Sequence, residues 1–314
     1  MANFYGVNPR NLQRQYKDYL SDSKQWNQKL HAKEWMLFPK NLGAYLSLDE
    51  TAFSNGDLYT ILTNKKAKGK KGAIVAMVKG TKAEVVIKTP RKTTIKQRNK
   101  VKEVTLDMAG NMGLIVKKSF PNATLVIDRF HVQKLALDAL QEIRIKHRWE
   151  AIDTENDAIE NARNKFLKYT PKLLSNGDTL KQLLARSRYL LYKSSNKWTE
   201  NQSNRAEILF QRYPDLEKAY KLCQNLSWIF NNTKDKTSAL IRLAKWDEKV
   251  RQVSFNTIAR TMAIHYKNIL NYFDNRSTNA SAESFNAKIK AFRAQFRGVR
   301  NVDFFLFRLT NIFA

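Results

Sequence analysis

The chain has 314 residues, 43% of them hydrophobic and 11% aromatic, which is the composition of a folded protein of one large or two ordinary domains. Its 56 Lys and Arg stand against 28 Asp and Glu, a formal charge of +28 spread along the whole length, which points to a polyanionic partner and first to nucleic acid. No apolar run approaches the ~20 residues that span a bilayer, no signal peptide is read at the start, and the single Cys223 excludes an intrachain disulfide and a cysteine-based zinc finger.

A cytoplasmic protein is therefore expected, with any metal held by oxygen. Residues 1–44 are polar, basic and helical in part, and Tyr5-Gly-Val-Asn-Pro-Arg-Asn-Leu-Gln-Arg-Gln-Tyr16 has the form of the turn and second helix of a helix-turn-helix, or of a basic surface helix. The texture changes at residue 45. Tyr45-Leu-Ser-Leu-Asp-Glu50, Asp57-Leu-Tyr-Thr-Ile-Leu-Thr63 and Ala73-Ile-Val-Ala-Met-Val78 read as a three-stranded antiparallel meander. Its turns fall at Ser54-Asn-Gly-Asp57 and Gly69-Lys-Lys-Gly72, and a further strand, Ala83-Glu-Val-Val-Ile87, extends the third.

A short basic segment from Thr93 to Lys100 leads to a fourth strand, Glu103-Val-Thr-Leu-Asp107, and a helix over Gly110–Ser119. A fifth strand, Pro121-Asn-Ala-Thr-Leu-Val-Ile-Asp128, runs into a helix from His131 to about Trp149. This order gives an α/β fold: an RNase H-like mixed five-stranded sheet with helices on both faces. No strand is expected between 150 and 275. Helices are predicted at Asp178–Lys193, Pro214–Phe230, Lys236–Val250 and Ser254–Phe273, with Phe255, Ile258, Met262, Ile269 and Phe273 forming the apolar stripe of the last. His265 falls on that stripe as a packed residue. The domains expected are thus residues 1–44, a catalytic core over 45–149, a large all-α insertion over 150–275, and the returning core helices over 276–314.

The stretch Asn279-Ala-Ser-Ala-Glu-Ser-Phe-Asn-Ala-Lys-Ile-Lys290 opens an amphipathic helix that buries Phe285, Ile289, Phe292 and Phe296. Glu283 lies about 200° around the helix from Phe285. It shares its side with Asn286 and Lys290, with Arg293 and Arg297 close behind. Asp49 ends the first strand and Asp107 the fourth, and those strands are neighbours in such a sheet. Strand-end aspartates taken singly are more often turn formers or helix caps. Two held side by side repel unless a cation neutralises them, and Mg²⁺ (or Mn²⁺) suits a cage of carboxylates, waters and phosphate. Glu283 would complete it. Asp128 and His131, three apart, are either a cap and its neighbour or groups beside the metal. Glu50 should point to the opposite face from Asp49. Lys65-Lys-Ala-Lys-Gly-Lys-Lys71, Lys88-Thr-Pro-Arg-Lys92 and Arg300 suit contact with a phosphate backbone more than base reading. Trp198 and Trp246 could stack on a base, but are better read as core.

Leu46-Ser-Leu-Asp-Glu50, Val104-Thr-Leu-Asp-Met-Ala-Gly-Asn111, Phe120-Pro-Asn-Ala-Thr-Leu-Val-Ile-Asp-Arg-Phe-His-Val132 and the Asn279–Lys290 stretch together resemble the DDE transposases of bacterial insertion sequences. Within these the resemblance is to the ISL group and its ISAon-like branch, over roughly residues 40 to 314. It implies that Asp49, Asp107 and Glu283 are the metal-binding catalytic triad and that Asp128 and His131 are an auxiliary motif, while Asn286, Lys290, Arg293 and Arg297, by their place beside Glu283, are expected to meet DNA. It also implies cleavage at the element's ends, joining of the freed 3′-hydroxyl to target DNA, a homodimer on paired ends, and a nucleoid-associated life in the bacterial cytoplasm. Many members of the group begin with a cysteine-bearing zinc module and a helix-turn-helix. Neither is intact here, so a separately encoded end-binding protein is expected. A nuclease of the same fold that cuts without joining, an inactive DNA-binding descendant and a cationic membrane-surface protein are the alternatives.

Overall fold

The computed structural model describes residues 4–52, 57–251, 256–295 and 301–314. The chain divides into two compact units, Met1–Asp128 with Asn275–Ala314, and Arg129–Asp274.

The first unit is built on a mixed sheet of six strands: β1 (Trp35–Leu37), β2 (Tyr45–Ala52), β3 (Leu58–Asn64), β4 (Ile74–Lys79), β5 (Glu103–Leu106) and β6 (Thr124–Ile127). Their order across the sheet is β1-β4-β3-β2-β5-β6. The meander β2–β3–β4 is antiparallel, whereas β5 and β6 run parallel to β2. This mixed sheet with many helices is the RNase H-like arrangement.

Alternation along the strands supplies both faces. Leu46 and Leu48 of β2, with Leu62 and Val104, pack against Val86 of the helix Ala83–Lys88 and Met112, Ile115 and Val116 of the helix Gly110–Ser119. On the other face Tyr59, Ile61, Ile74 and Met77 meet Phe285, Ile289 and Phe292 of the helix Ala280–Gln295, and Phe305, Leu306 and Leu309 of the helix Val302–Phe313. Phe285 is fully buried, a contribution of about 1.5–3 kcal/mol for a large apolar side chain. The apolar C-terminal tail thus packs back on the sheet.

Two expectations change. A sixth strand, β1, pairs antiparallel with β4 through Trp35↔Val78 and Leu37↔Ala76, so the sheet is wider than five strands. Ala83–Ile87 is not a strand but the body of a helix: β4 already has partners on both edges, and Ala83 and Val86, three apart, are buried while Val85 faces solvent. The expected turn at Ser54–Gly56 lies outside the described residues.

Among its described residues the second unit forms helices, turns and loops but no strand. Its spine is the 36-residue helix Arg129–Asn164. Leu180–Arg186, Pro214–Asn232 and Asn256–Leu270 pack on it, while Glu200–Arg212 and Lys236–Arg251 pack on Pro214–Asn232. The segment expected as one helix over Asp178–Lys193 is divided. A capping box of Thr179 and Gln182 starts a helix that ends at Arg186, and only a 3-10 turn, Leu190–Tyr192, follows. Asp178, 1% exposed, precedes the cap and is satisfied by Arg186 and by Arg205 Nε at 3.1 Å. The helix Glu200–Arg212, opened by a second such box at Thr199 and Gln202, is not among the helices expected from the sequence. Pro214 takes the first helical position, as expected. Ser254 and Phe255 lie outside the described residues; Ile258, Met262, Ile269 and Phe273 are buried, and His265 is half-buried.

Both tryptophans are structural. Trp246 is buried and donates its indole N–H to Leu222 O at 2.9 Å, and Trp198 donates to Leu190 O at 2.8 Å while stacking on Tyr220. Among the described residues no helix is long and apolar enough to cross a membrane.

Candidate active site

Three parallel neighbours set the site. Ser47 of β2 is level with Thr105 of β5, and Thr105 with Val126 of β6. Two residues further along each strand, the same register brings Asp49, Asp107 and Asp128 into one row on one face. Asp49 also sits opposite Ile61, which packs under the Phe285 helix, so that row lies on the helix-covered face. The ladder continues into it, since Asp128 N donates to Leu106 O at 3.1 Å.

Asp49 Oδ1 accepts from Glu50 N at 2.8 Å, and Asp107 Oδ1 from Met108 N. The crowding of carboxylates registers on Glu50. Burial, then the charges of Asp49 and Asp107, hold its carboxyl above the usual glutamate range.

Asp128 is 2% exposed, and its Oδ2 accepts the backbone N–H of Asn279 at 2.8 Å. Asn279 stands at the start of the Ala280–Gln295 helix, where its carbonyl takes Ala282 N at 2.8 Å and Glu283 N at 3.0 Å. A carboxylate here also suits the positive end of the helix dipole. One turn in, Glu283 is exposed while Phe285 is buried, as the helical spacing predicts. A carboxylate oxygen of Glu283 lies within 4.8 Å of one of Asp128. One turn further, Asn286 Nδ2 donates to Asp49 Oδ2 at 2.7 Å. The same helix thus addresses β6 with its first turn and β2 with its second.

Asn286, Lys290 and Arg293 line an open cleft of about 760 Å³ with Glu50, Thr51 and Leu58. Arg297, Arg300 and Phe296 lie outside the described residues. His131 is half-buried on the first turn of the Arg129–Asn164 helix, its ring edge-on to Phe130.

The run Lys65–Lys71 is not uniformly a solvated patch. Lys65 turns inward, with 15% of its side chain exposed, to pair with Glu103 Oε1 at 3.3 Å and to reach Thr105 Oγ1. Desolvation lowers its pKa, against the opposing pull of Glu103. Lys288 Nζ donates to Gly69 O at 2.8 Å and ties the rest of that loop to the Glu283 helix. Gly69 has φ +67°, a conformation that suits a residue without Cβ. Glu103 and Lys65 are functional candidates that the sequence alone does not single out. The available signal is the alternation Glu103, Thr105, Asp107, a polar row on one face of an otherwise apolar strand.

Asp49, Asp107 and Asp128 offer hard oxygens at the carboxyl ends of adjacent strands, a donor set that fits a divalent cation. A family profile described as transposase matches residues 46–309. Two curated relatives, the transposases of insertion sequence element IS1557 from two strains of Mycobacterium tuberculosis (CDC 1551 / Oshkosh and H37Rv), are each 27% identical over 196 residues. The alignment covers 60% of this chain and 43% of each relative, so the chain matches less than half their length. No solved structure matches the chain. With the profile spanning strands β2 to β6, the helical unit and the Glu283 helix, the chain belongs to the ISL3 family of DDE transposases.

Proposed function

We propose that the protein is the catalytic component of a transposase, cutting DNA at the ends of an insertion sequence and joining the freed 3′-hydroxyl to target DNA. The observation that carries this is the row of Asp49 and Asp107 on parallel neighbours β2 and β5, with Glu283 borne on a helix that Asn286 fastens to Asp49. Asp49, Asp107 and Glu283 would hold Mg²⁺ or Mn²⁺. When bound, a divalent ion supplies Lewis-acid polarisation of the scissile phosphate and acidifies the attacking hydroxyl. Asn286 orients Asp49, and the buried Asp128 fixes the start of the helix on which Glu283 rides. His131 acts as an auxiliary group. Lys290 and Arg293 in the cleft, with Arg297 four positions on in the sequence, neutralise the DNA backbone.

The reading extends to two copies acting on paired ends and to a second protein that recognises the terminal repeats, on chromosomal DNA in the bacterial cytoplasm. The test is a strand-transfer assay with pre-cut ends, a supercoiled target and Mg²⁺, with Glu283→Gln in parallel. Joined product that vanishes in the variant supports the proposal. Cleavage without joining would make the protein a nuclease of the same fold. DNA binding with neither reaction, even with an end-binding protein supplied, would make it an inactive descendant.

A further inference from the structure

Strand β5 carries more than Asp107. Two rungs before it, on the same face, the carboxylate of Glu103 is 2% exposed and uses both oxygens: Oε1 takes Lys65 Nζ at 3.3 Å, and Oε2 takes Asn275 Nδ2 at 3.1 Å. Asn275 opens the segment that leads to the Glu283 helix. Arg276, next to it, has φ +51°, a left-handed backbone that non-glycine residues adopt uncommonly. The segment is then caught a second time, where Asn279 N donates to Asp128 Oδ2 at 2.8 Å.

The path from β5 to Glu283 is therefore held at two points within a few residues, one a buried carboxylate on β5 and the other a buried carboxylate at the end of the edge strand β6. A carboxylate and an ammonium are an expensive pair to bury for stability alone. Their common feature here is geometric. Glu103 receives Lys65 from the end of β3 and Asn275 from the returning chain, on the strand that ends in Asp107.

We propose that Glu103, braced by Lys65, and Asn275 form a positioning clamp that sets the start of the Glu283 helix against β5, and so the placement of Glu283 relative to Asp107. The clamp rests on the reading of Asp49, Asp107 and Glu283 as one metal site, and deepens it. Glu103 and Asn275 are read as positioning residues that act through the Glu283 helix. Asn275 is exposed at the surface, so its replacement leaves the core in place. Glu103→Gln alone strips a buried lysine of its partner, and is the less informative change.

The experiment measures hydrogen exchange of the full chain without metal, alongside Mn²⁺ affinity by electron paramagnetic resonance. In Asn275→Ala, amides from Asn279 to Phe285 should exchange about tenfold faster, the loss of one hydrogen bond to a charged group. Exchange in β2 and β5 should stay as in the wild type, and Mn²⁺ affinity should fall. Asn275→Asp sets two carboxylates against each other and should loosen the segment more. The double change Glu103→Gln with Asn275→Asp reverses donor and acceptor, and should restore much of the protection. A purely structural role for Asn275 would show general destabilisation without that rescue. Wild-type exchange over 279–285 in both single Asn275 variants would overturn the clamp. Glu283→Gln separates the underlying reading: Mn²⁺ affinity unchanged in that variant would retire the metal site, while the exchange data still decide the clamp.

Discussion

Asn286 donates its side-chain amide to Asp49 at 2.7 Å across 237 positions of sequence. An amide fits this place because it offers a donor without charge, holding one lone pair of the carboxylate and leaving the others for a cation. The contact also fixes the rotation of the helix one turn beyond Glu283.

Asn286→Ala should therefore lower the single-turnover rate of strand transfer by about tenfold, from a lost hydrogen bond to a charged group worth ~1.5–3 kcal/mol. Asn286→Asp places a second carboxylate against Asp49 and should be worse, with partial recovery at higher Mn²⁺. Equal activity of the alanine variant and wild type would show that this hydrogen bond has no part in the reaction.

Asp107→Asn keeps the shape of the side chain and its acceptor for Met108 N but removes the charge. Cleavage and joining should both fall by roughly 10³-fold, while binding to duplex DNA is unchanged or slightly tighter, since one negative charge has gone. Gel-shift titration and product analysis on one preparation separate these effects.

Lys290 and Arg293 line the cleft beside the carboxylates. Changing either to Ala should weaken DNA binding to a similar degree on any sequence. It should also reduce the slope of log affinity against log salt by about 0.9 for each phosphate that is no longer neutralised. A salt slope that does not move would place the DNA elsewhere.

Alkaline pH should unfold the protein through buried groups outside the carboxylate row. Burial pushes the Cys223 thiol up to about 12, its Sγ donating to Ala136 O at 3.3 Å, and Tyr59 and Tyr220 are raised to about 12, chiefly by burial. Their protons stay on the native state at a pH where the unfolded chain releases them, from about 8.5 for a thiol and about 10 for a phenol. Their stabilising share is whole below those values and is lost as pH climbs toward about 12, by up to one proton per group in the slope. Melting temperature should fall steadily over that window, and less steeply in Cys223→Ala. Iodoacetamide should label Cys223 only after unfolding.

Much of the core is legible in the sequence because its signals are local. Leu46 and Leu48 alternate with Ser47 and Asp49, and the spacing of Phe285, Ile289 and Phe292 separates a buried stripe from Glu283. Strand β1 is not legible: three residues in a polar segment become a strand only because β4 offers a free edge. Val85-Val86-Ile87 looks like a strand because β-branched residues favour one, but that propensity yields to the packing of Ala83 and Val86 on the sheet. Lys65 hides among its neighbours. What separates it from Lys66 is a buried acceptor on β5, 38 positions away, which composition does not reveal.

The sheet unit is interrupted in sequence, its last part beginning at Asn275, whereas the helical unit is one continuous segment. A ribosome therefore delivers every residue of the helical unit before the glutamate that completes the carboxylate set. During synthesis Asp49 and Asp107 wait without Glu283, and the apolar face of Tyr59, Ile61 and Met77 waits without its helices. At that stage the carboxylate set is incomplete and the apolar face of the sheet is uncovered, which makes the nascent chain prone to aggregate. On the proposed assignment, a product released before residue 283 keeps the basic residues of the first strands but lacks one member of the carboxylate set, so truncation would yield a general DNA binder rather than a rogue nuclease.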